Sequence, residues 1–248
     1  MEENILAPDN SERRIYRDYD DNPRPLPAVE EIRRLVSEDP VVVVSFCQQL
    51  YRSDIISTEE KCDIAVKLLP KVEPQYRVFV WGALSGMIRI YVGPPISVLY
   101  DLAKETLENP KSTKDEQHAI REFLGDLQYH YVGIMYWMTQ FDNPPVKECD
   151  LFVAISVWAR ESCDLKRLMR ILKTFAQHDS YLLRESSIEA VYQINSRSDF
   201  TDATLLPFLD DFEEVIHLAC QKPHWYLVNA IEYAKKAIHR LKDSTFVD

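Results

Sequence analysis

Glycine is scarce in this chain of 248 residues, which has 5 glycines against 14 prolines. Barrels, sandwiches and dinucleotide-binding sheets need glycine in their turns, so this balance disfavours all three folds. Helices separated by proline breaks fit the composition better. Apolar residues make up 46% of the chain and aromatic residues 11%, which is enough for a substantial core and excludes global disorder.

Positive charge is also in deficit, because 29 lysines and arginines face 40 aspartates and glutamates, giving a net charge of -11. Nucleic acids and anionic membranes attract lysine and arginine, so the excess of acid opposes unspecific binding to either. We therefore expect another protein with a basic surface as the partner, and neither a membrane nor a nucleic acid.

Long hydrophobic runs and a signal segment are missing as well. The longest apolar stretch, from Val78 to Ile88, has about half the length of a membrane span and is flanked by Arg77 and Arg89. The first residues, MEEN, lack the basic region and apolar run of a secretory signal. The sequence predicts a soluble protein.

The cysteines are few, odd in number and scattered, and no CxxC pair occurs among them. They are Cys47, Cys62, Cys149, Cys163 and Cys220. This pattern predicts buried thiols in a reducing compartment, and so a cytoplasmic protein.

Two regions differ in pattern. Residues 1–27 mix both charges with tyrosine and with prolines at 23, 25 and 27, without a helical or strand period, so an irregular N-terminal arm is predicted there. The arm is either a poorly ordered terminus or a short docking segment.

Residues 28–248 are predicted to form a single all-helical domain of about eleven helices, separated by prolines. The Val41–Val44 run leaves helix and strand open for residues 41–46.

The clearest single helix follows Ser112. Thr113 and Glu116 make a capping box, in which each side chain accepts a hydrogen bond from a first-turn N–H. The helix is predicted to reach about Gln140. Its apolar stripe consists of Ile120, Phe123, Leu124, Leu127, Tyr131, Ile134 and Met138.

A second helix is predicted from Gln75 to Val92 and is apolar on nearly all sides. Its glycines Gly82 and Gly86 are four residues apart, which predicts the close approach of another helix. A helix covered on several sides is typical of layered helical stacks.

The stretch from Asp179 to Ile194 resembles the second helix of a HEAT-like repeat. In that family an aspartate begins the helix, an arginine follows about five residues later, and small residues precede an aliphatic stripe. The matching positions here are Asp179, Arg184, Ser187, Ala190, Val191 and Ile194. The stretch from His224 to Ala237 looks like a degenerate second copy, with Asn229 near the position of the arginine.

This resemblance implies an all-α superhelix of stacked antiparallel helix pairs, an alpha-solenoid. It implies structural roles for Asp179 as an N-cap and for Arg184 in an ion pair between repeats. An isolated helix pair cannot cover its apolar face, so neighbouring pairs stack into a continuous core with a curved surface. We expect the helices from Tyr181 to Asn195 and from Trp225 to Leu241 to expose their non-core residues on one face.

Signatures of catalysis and cofactor binding are absent from the sequence. Neither GxGxxG, GxxxxGK[ST], HExxH nor GxSxG occurs. The compact group His217, Cys220 and His224 lacks a fourth zinc ligand. The sequence therefore predicts no catalytic residue, no metal and no cofactor.

Helical-repeat DNA glycosylases remain the enzymatic alternative, because they are helical proteins of about this size. The match fails at their tryptophan-aspartate motif, since no tryptophan in this chain precedes an aspartate. The four tryptophans are Trp81, Trp137, Trp158 and Trp225.

Two charged features are candidates for partner binding. Lys166, Arg170 and Lys173 form a basic stripe opposite apolar residues of an amphipathic helix. An acidic cluster consists of Asp210, Asp211, Glu213 and Glu214. Each feature has the alternative interpretation of a solvated face.

The acidic cluster is predicted in the C-terminal half of its helix, where carboxylates gain nothing from the helix dipole. Reversal of its four charges to lysine is therefore expected to keep the fold and to slow association with a basic partner.

These observations favour a non-enzymatic protein–protein interaction module, a helical-repeat scaffold or adaptor. A narrower hypothesis is an immunity-type inhibitor that neutralises a basic toxin or nuclease, because charge complementarity speeds association.

Overall fold

The computed structural model describes residues 15–17, 23–25, 57–72, 74–89, 96–129 and 134–244. Residues 41–46 and Cys47 lie outside this part of the chain, so their predictions stay untested. Ten helices of six or more residues occur in the described part, and nine of them have at least seven. The predicted all-α class is confirmed, with one helix fewer in this part than the eleven expected for the whole chain.

The chain divides into two compact units. The first contains residues 1–91 and 98–130, and the second contains residues 92–97 and 131–248. A single domain over residues 28–248 remains a prediction.

Two short strands lie within the predicted N-terminal arm. Strand β1, Ile15–Arg17, pairs antiparallel with β2, Pro23–Pro25, and Tyr16 lies opposite Arg24. The sequence predicted no strand here, since three-residue strands are too short for an alternating pattern to be visible.

Four helices occur in the described residues of the first unit. They are α1 (Thr58–Leu68), α2 (Pro74–Ile88), α3 (Ser97–Glu108, from Val98 onward) and α4 (Lys114–Tyr129). A 3-10 turn, Leu69–Lys71, follows α1. Helices α2 and α4 pack against each other, with the buried rings of Trp81 and Phe123 5.3 Å apart between centroids.

Helix α4 begins as the sequence predicts. Thr113 Oγ1 accepts a hydrogen bond from the backbone N–H of Glu116 at 3.1 Å. The predicted stripe is confirmed from Ile120 to Leu127, whose apolar members are buried. The predicted continuation to Gln140 crosses residues 130–133, which lie outside the described part.

Gly82 has a different role from the predicted one. It is exposed on α2, and a Cβ atom built there would meet no described atom within 4 Å apart from the backbone of its own helix. None of the described helices approaches α2 closely at this position, so the prediction fails for Gly82 in this part of the chain.

Within the second unit, the part that the structure describes has six helices and three shorter helical segments. The helices are α5 (Ile134–Thr139), α6 (Glu148–Glu161), α7 (Leu165–Ala176), α8 (Tyr181–Asn195), α9 (Leu209–Cys220) and α10 (Val228–Asp243). One α-helical turn, Asp202–Leu205, and a 3-10 turn, Leu206–Phe208, precede α9, and a second 3-10 turn, Trp225–Leu227, precedes α10.

Helix α8 is the centre of the second unit. It contacts α6, α7, α9 and α10, and 12 of its residues are buried. Helix α7 in turn packs against α9. The helices therefore form two series of neighbours, α6, α8 and α10 in one and α7 and α9 in the other.

Arginines link the ends of successive helices in the first of these series. Arg197 donates to the carbonyl oxygen of Ser162 at 2.6 Å, just after α6 ends. Arg240 of α10 donates to the carbonyl of Asn195 at 2.6 Å, where α8 ends. The last carbonyls of a helix lack partners within it, so these guanidinium groups satisfy acceptors of the preceding helix.

The HEAT-like positions differ from the predicted roles. The N-cap of α8 is Ser180 rather than Asp179. The carboxylate of Asp179 instead pairs with Lys222 at 2.5 Å. Arg184 donates to three carbonyl oxygens, those of His178 at 2.8 Å, Asp179 at 2.7 Å and Lys222 at 3.0 Å. The expected ion pair is thus replaced by contacts with the backbone of two loops.

Within the described part of the chain, no helix combines the length and the apolar character that crossing a bilayer requires.

Candidate functional site

The predicted basic stripe lies on α7, and this helix is amphipathic as expected. The side chain of Asp164 caps it by accepting from the backbone N–H of Arg167 at 3.0 Å. The side buried in the protein consists of Leu165, Leu168, Met169, Leu172 and Ala176. Lys166 and Arg170 are exposed, whereas Lys173 is partly buried.

The acidic cluster lies at the beginning of α9, so its predicted place in the C-terminal half of a helix is wrong. Asp210 and Asp211 are in the first turn. Pro207 falls in a separate 3-10 turn, and α9 begins only at Leu209. Negative charge is favourable at a helix N-terminus, so these carboxylates have a sufficient structural reason to be there.

The structure brings the basic stripe and the acidic cluster together. Lys173 Nζ lies 2.5 Å from Asp211 Oδ1 and 2.5 Å from Glu214 Oε2. These hydrogen bonds raise the pKa of Lys173, because they stabilise its charged form. Glu213 pairs with Lys242 of α10 at 2.5 Å.

Most residues of the predicted charged site therefore form ion pairs within the chain. Among the described residues, only Lys166, Arg170 and Asp210 of the seven predicted site residues make no ion pair. The predicted fourfold reversal to lysine would place new positive charge beside Lys173 and Lys242, so it no longer tests binding alone.

A different surface carries large exposed side chains. We define the aromatic face as Tyr192 on α8 and Tyr233 on α10; Trp225, just before α10, and Val228, at its start, are exposed as well. Between 38% and 53% of each residue is exposed. The sequence analysis missed these residues, although it placed the helices of Tyr192 and Tyr233 on one common surface.

The two tyrosines of the aromatic face are in contact. Their ring centroids are 5.8 Å apart, and the ring planes are tilted by 44°. Lys236 Nζ lies 5.7 Å from the centroid of the Tyr233 ring, within the range of a cation–π interaction.

Trp225 belongs to a row of rings at the start of α10. The ring of His224 lies 5.7 Å from Trp225 and stacks on Tyr181 at 4.0 Å with an angle of 12°. His224 Nδ1 accepts from the backbone N–H of Tyr226 at 3.2 Å, which caps the 3-10 turn. These contacts hold the base of Trp225 in place.

Carboxylates accompany the aromatic face. Glu185 and Glu189 lie on α8 two turns and one turn before Tyr192, and both are partly exposed. Glu232 is exposed on α10 beside Tyr233. Residues three or four apart share one side of a helix, so Tyr192 lies in a stripe with two acids.

The rejected zinc group is separated by the fold. His217 and Cys220 line a cleft of about 490 Å³ between α9 and α10, whereas His224 stacks on Tyr181. In the described part of the chain, no three histidine, cysteine or acidic side chains are grouped to hold a metal ion.

Comparison with known proteins identifies no matching family, no similar curated protein and no similar solved structure.

Proposed function

We propose that this chain is a protein–protein interaction module that binds a partner with a basic surface through its aromatic face. The observation that carries the proposal is the exposure of two tyrosines, Tyr192 and Tyr233, that contact each other from helices α8 and α10. Tyrosine and tryptophan supply large contact areas at a low cost in conformational entropy, and they are frequent among the residues that dominate binding energy.

The proposal includes an alpha-solenoid arrangement of the HEAT-like kind for the helices of the second unit. Two features support it. Helices α6, α8 and α10 contact one another in series, as do α7 and α9. Two arginine contacts also span 38 residues each, from Arg184 to Lys222 and from Arg197 to Ala159. Known helical repeats have periods of about 33 to 47 residues.

The charge of the chain supports a basic partner. A net charge of -11 attracts positively charged proteins at long range and raises their association rate. An immunity-type inhibitor of a basic toxin or nuclease is one such pairing. None of the described cysteines forms a disulfide, which supports a reducing compartment such as the cytoplasm. Cys62 and Cys149 are buried as predicted, whereas Cys163 and Cys220 are exposed, so the prediction of buried thiols is wrong for these two.

The proposal is tested by affinity capture with the full chain and two variants. One variant carries Tyr192→Ala and Tyr233→Ala, and the control carries Tyr136→Ala, a tyrosine on α5 that is 56% exposed, against 38% and 52% for Tyr192 and Tyr233. We expect a partner protein that the wild type and the control recover and that the double variant loses. The proposal would be overturned if the double variant recovered the partner as well as the wild type does. It would also be overturned if no partner were recovered and the chain turned over a small molecule.

A further inference from the structure

We infer that the aromatic face binds arginine side chains of an extended segment of the partner, with guanidinium groups against the rings of Tyr192 and Tyr233. This inference rests on the proposed function and names the chemistry that the face recognises. It identifies a partner segment of the form Arg-X-Arg.

The first argument is that the face already holds a cation. Lys236 Nζ lies 5.7 Å from the Tyr233 centroid, and about half of Tyr233 is exposed. The negative face of the ring is therefore oriented to receive positive charge. A cation from a partner occupies the same ring face once Lys236 moves aside.

The second argument concerns arginine rather than lysine. A guanidinium group is planar and weakly hydrated, so it stacks on aromatic rings better than an ammonium group does. Two such contacts occur elsewhere among the described residues, with Arg197 4.1 Å from the Phe200 centroid and Arg167 4.9 Å from the Phe141 centroid. Both distances are shorter than the 5.7 Å from Lys236 to Tyr233.

The third argument is spacing. The centroids of Tyr192 and Tyr233 are 5.8 Å apart. In an extended segment, side chains two residues apart lie on the same side and are about 6.6 Å apart along the chain. Two arginines in an Arg-X-Arg segment therefore match the two rings.

The fourth argument is charge. Glu185 and Glu189 lie in the stripe of Tyr192. Lys236 is the positive group that lies over the Tyr233 ring, so it is the intramolecular competitor of an incoming guanidinium group.

The test uses the full chain and two labelled peptides, one of alternating arginine and glycine and one of alternating lysine and glycine with the same length and charge. Fluorescence anisotropy at fixed ionic strength gives both dissociation constants. We expect the arginine peptide to bind about three- to tenfold more tightly, from one or two exposed cation–π contacts. Tyr192→Ala with Tyr233→Ala should abolish this preference, whereas Tyr136→Ala should keep it.

A second pair of variants removes one positive charge at neighbouring exposed positions of α10. Lys236→Gln frees the Tyr233 ring, whereas Lys235→Gln changes the charge equally but lies in the cleft beside α9. We expect Lys236→Gln to tighten binding of the arginine peptide more than Lys235→Gln does. This comparison needs no tyrosine substitution, so it remains decisive if the double variant unfolds.

Equal affinity for the two peptides, or equal effects of the two lysine substitutions, would overturn the inference. Such a result leaves the proposed function intact if the captured partner still depends on Tyr192 and Tyr233. If partner recovery is independent of both tyrosines, the proposed function itself fails.

Discussion

Glu116 in the first unit and Arg184 in the second unit are both buried, but their surroundings differ. Glu116 is fully buried between α2 and α4, and Arg77 Nη1 lies 3.6 Å from its Oε1. Arg184 is 4% exposed and donates to three backbone carbonyls at 2.7 to 3.0 Å. A buried charge needs several well-aligned dipoles close to it; Arg184 has three, whereas the carboxylate oxygens of Glu116 accept no hydrogen bond from the described residues.

Burial disfavours the charged form of both groups. It raises the pKa of Glu116, although Arg77, Trp81 and Thr113 oppose the change. It lowers the pKa of Arg184, while Asp179 opposes the change. Glu116 can lose its charge in the accessible pH range, whereas arginine stays charged there. The cost of burying Arg184 is therefore offset by its carbonyl contacts, and removal of the guanidinium group leaves those carbonyls without their donor.

The largest effect is expected for Arg184→Met, which keeps the apolar stem and removes the guanidinium group. Three carbonyl oxygens lose a charged donor, so the free energy of unfolding should fall by about 3 kcal/mol. Urea unfolding followed by circular dichroism measures the loss. Arg170→Met, at an exposed position of α7, is the control and should change stability little; a similar loss in both variants would contradict the role of Arg184.

Glu116→Gln tests the opposite case and should stabilise the protein at pH 7. A carboxyl whose pKa is raised on folding supports the fold below its unfolded value of about 4.3, and this support disappears as the pH rises through the folded value. Glutamine does not titrate, so its advantage should be present at pH 7 and vanish near pH 4. Unfolding curves across this range measure it, with exposed Glu122→Gln on the same helix as the control. A variant less stable than wild type at pH 7 would show that the Arg77 pair outweighs burial.

The smallest effect is expected where charges are paired at the surface. Lys173→Met removes the contacts with Asp211 and Glu214, which are both partly exposed. Water and salt screen such pairs, so the loss should be about 0.5 to 1 kcal/mol and shrink at high salt. The fully exposed pair of Asp179 with Lys222 should contribute no measurable change in Tm when Asp179→Asn is made. A loss after Lys173→Met as large as that for Arg184→Met would remove the distinction between surface and buried charge.

Some features were visible in the sequence because their causes are local. The hydroxyl of Thr113 reaches an N–H three residues later, and the stripe of α7 follows from the turn of a helix alone. The spacing of prolines similarly predicted an all-α protein. The positions of the predicted charges also indicated that α7 is amphipathic. They did not indicate whether these charges bind a partner or form ion pairs within the chain.

Other features depend on residues that are distant along the chain. Lys173 meets Asp211 across 38 positions, and Tyr192 meets Tyr233 across 41 positions. No local sequence pattern identifies such pairs, because a run of charged residues has the same sequence whether it faces solvent or another helix. The sequence therefore indicated the charged residues as the candidate site, whereas the packing of the helices indicates the aromatic face.

The sequence by itself determined the helical class, the amphipathic stripe of α7 and the cap of α4, because each depends on backbone geometry within a few residues. Only the tertiary structure decided that Arg184 donates to the backbone of two loops, that Lys173 of the basic stripe pairs with Asp211 and Glu214, and that tyrosines of two helices share one exposed face. These outcomes depend on which helices become neighbours, and that choice is made by packing the whole apolar core rather than by any short segment.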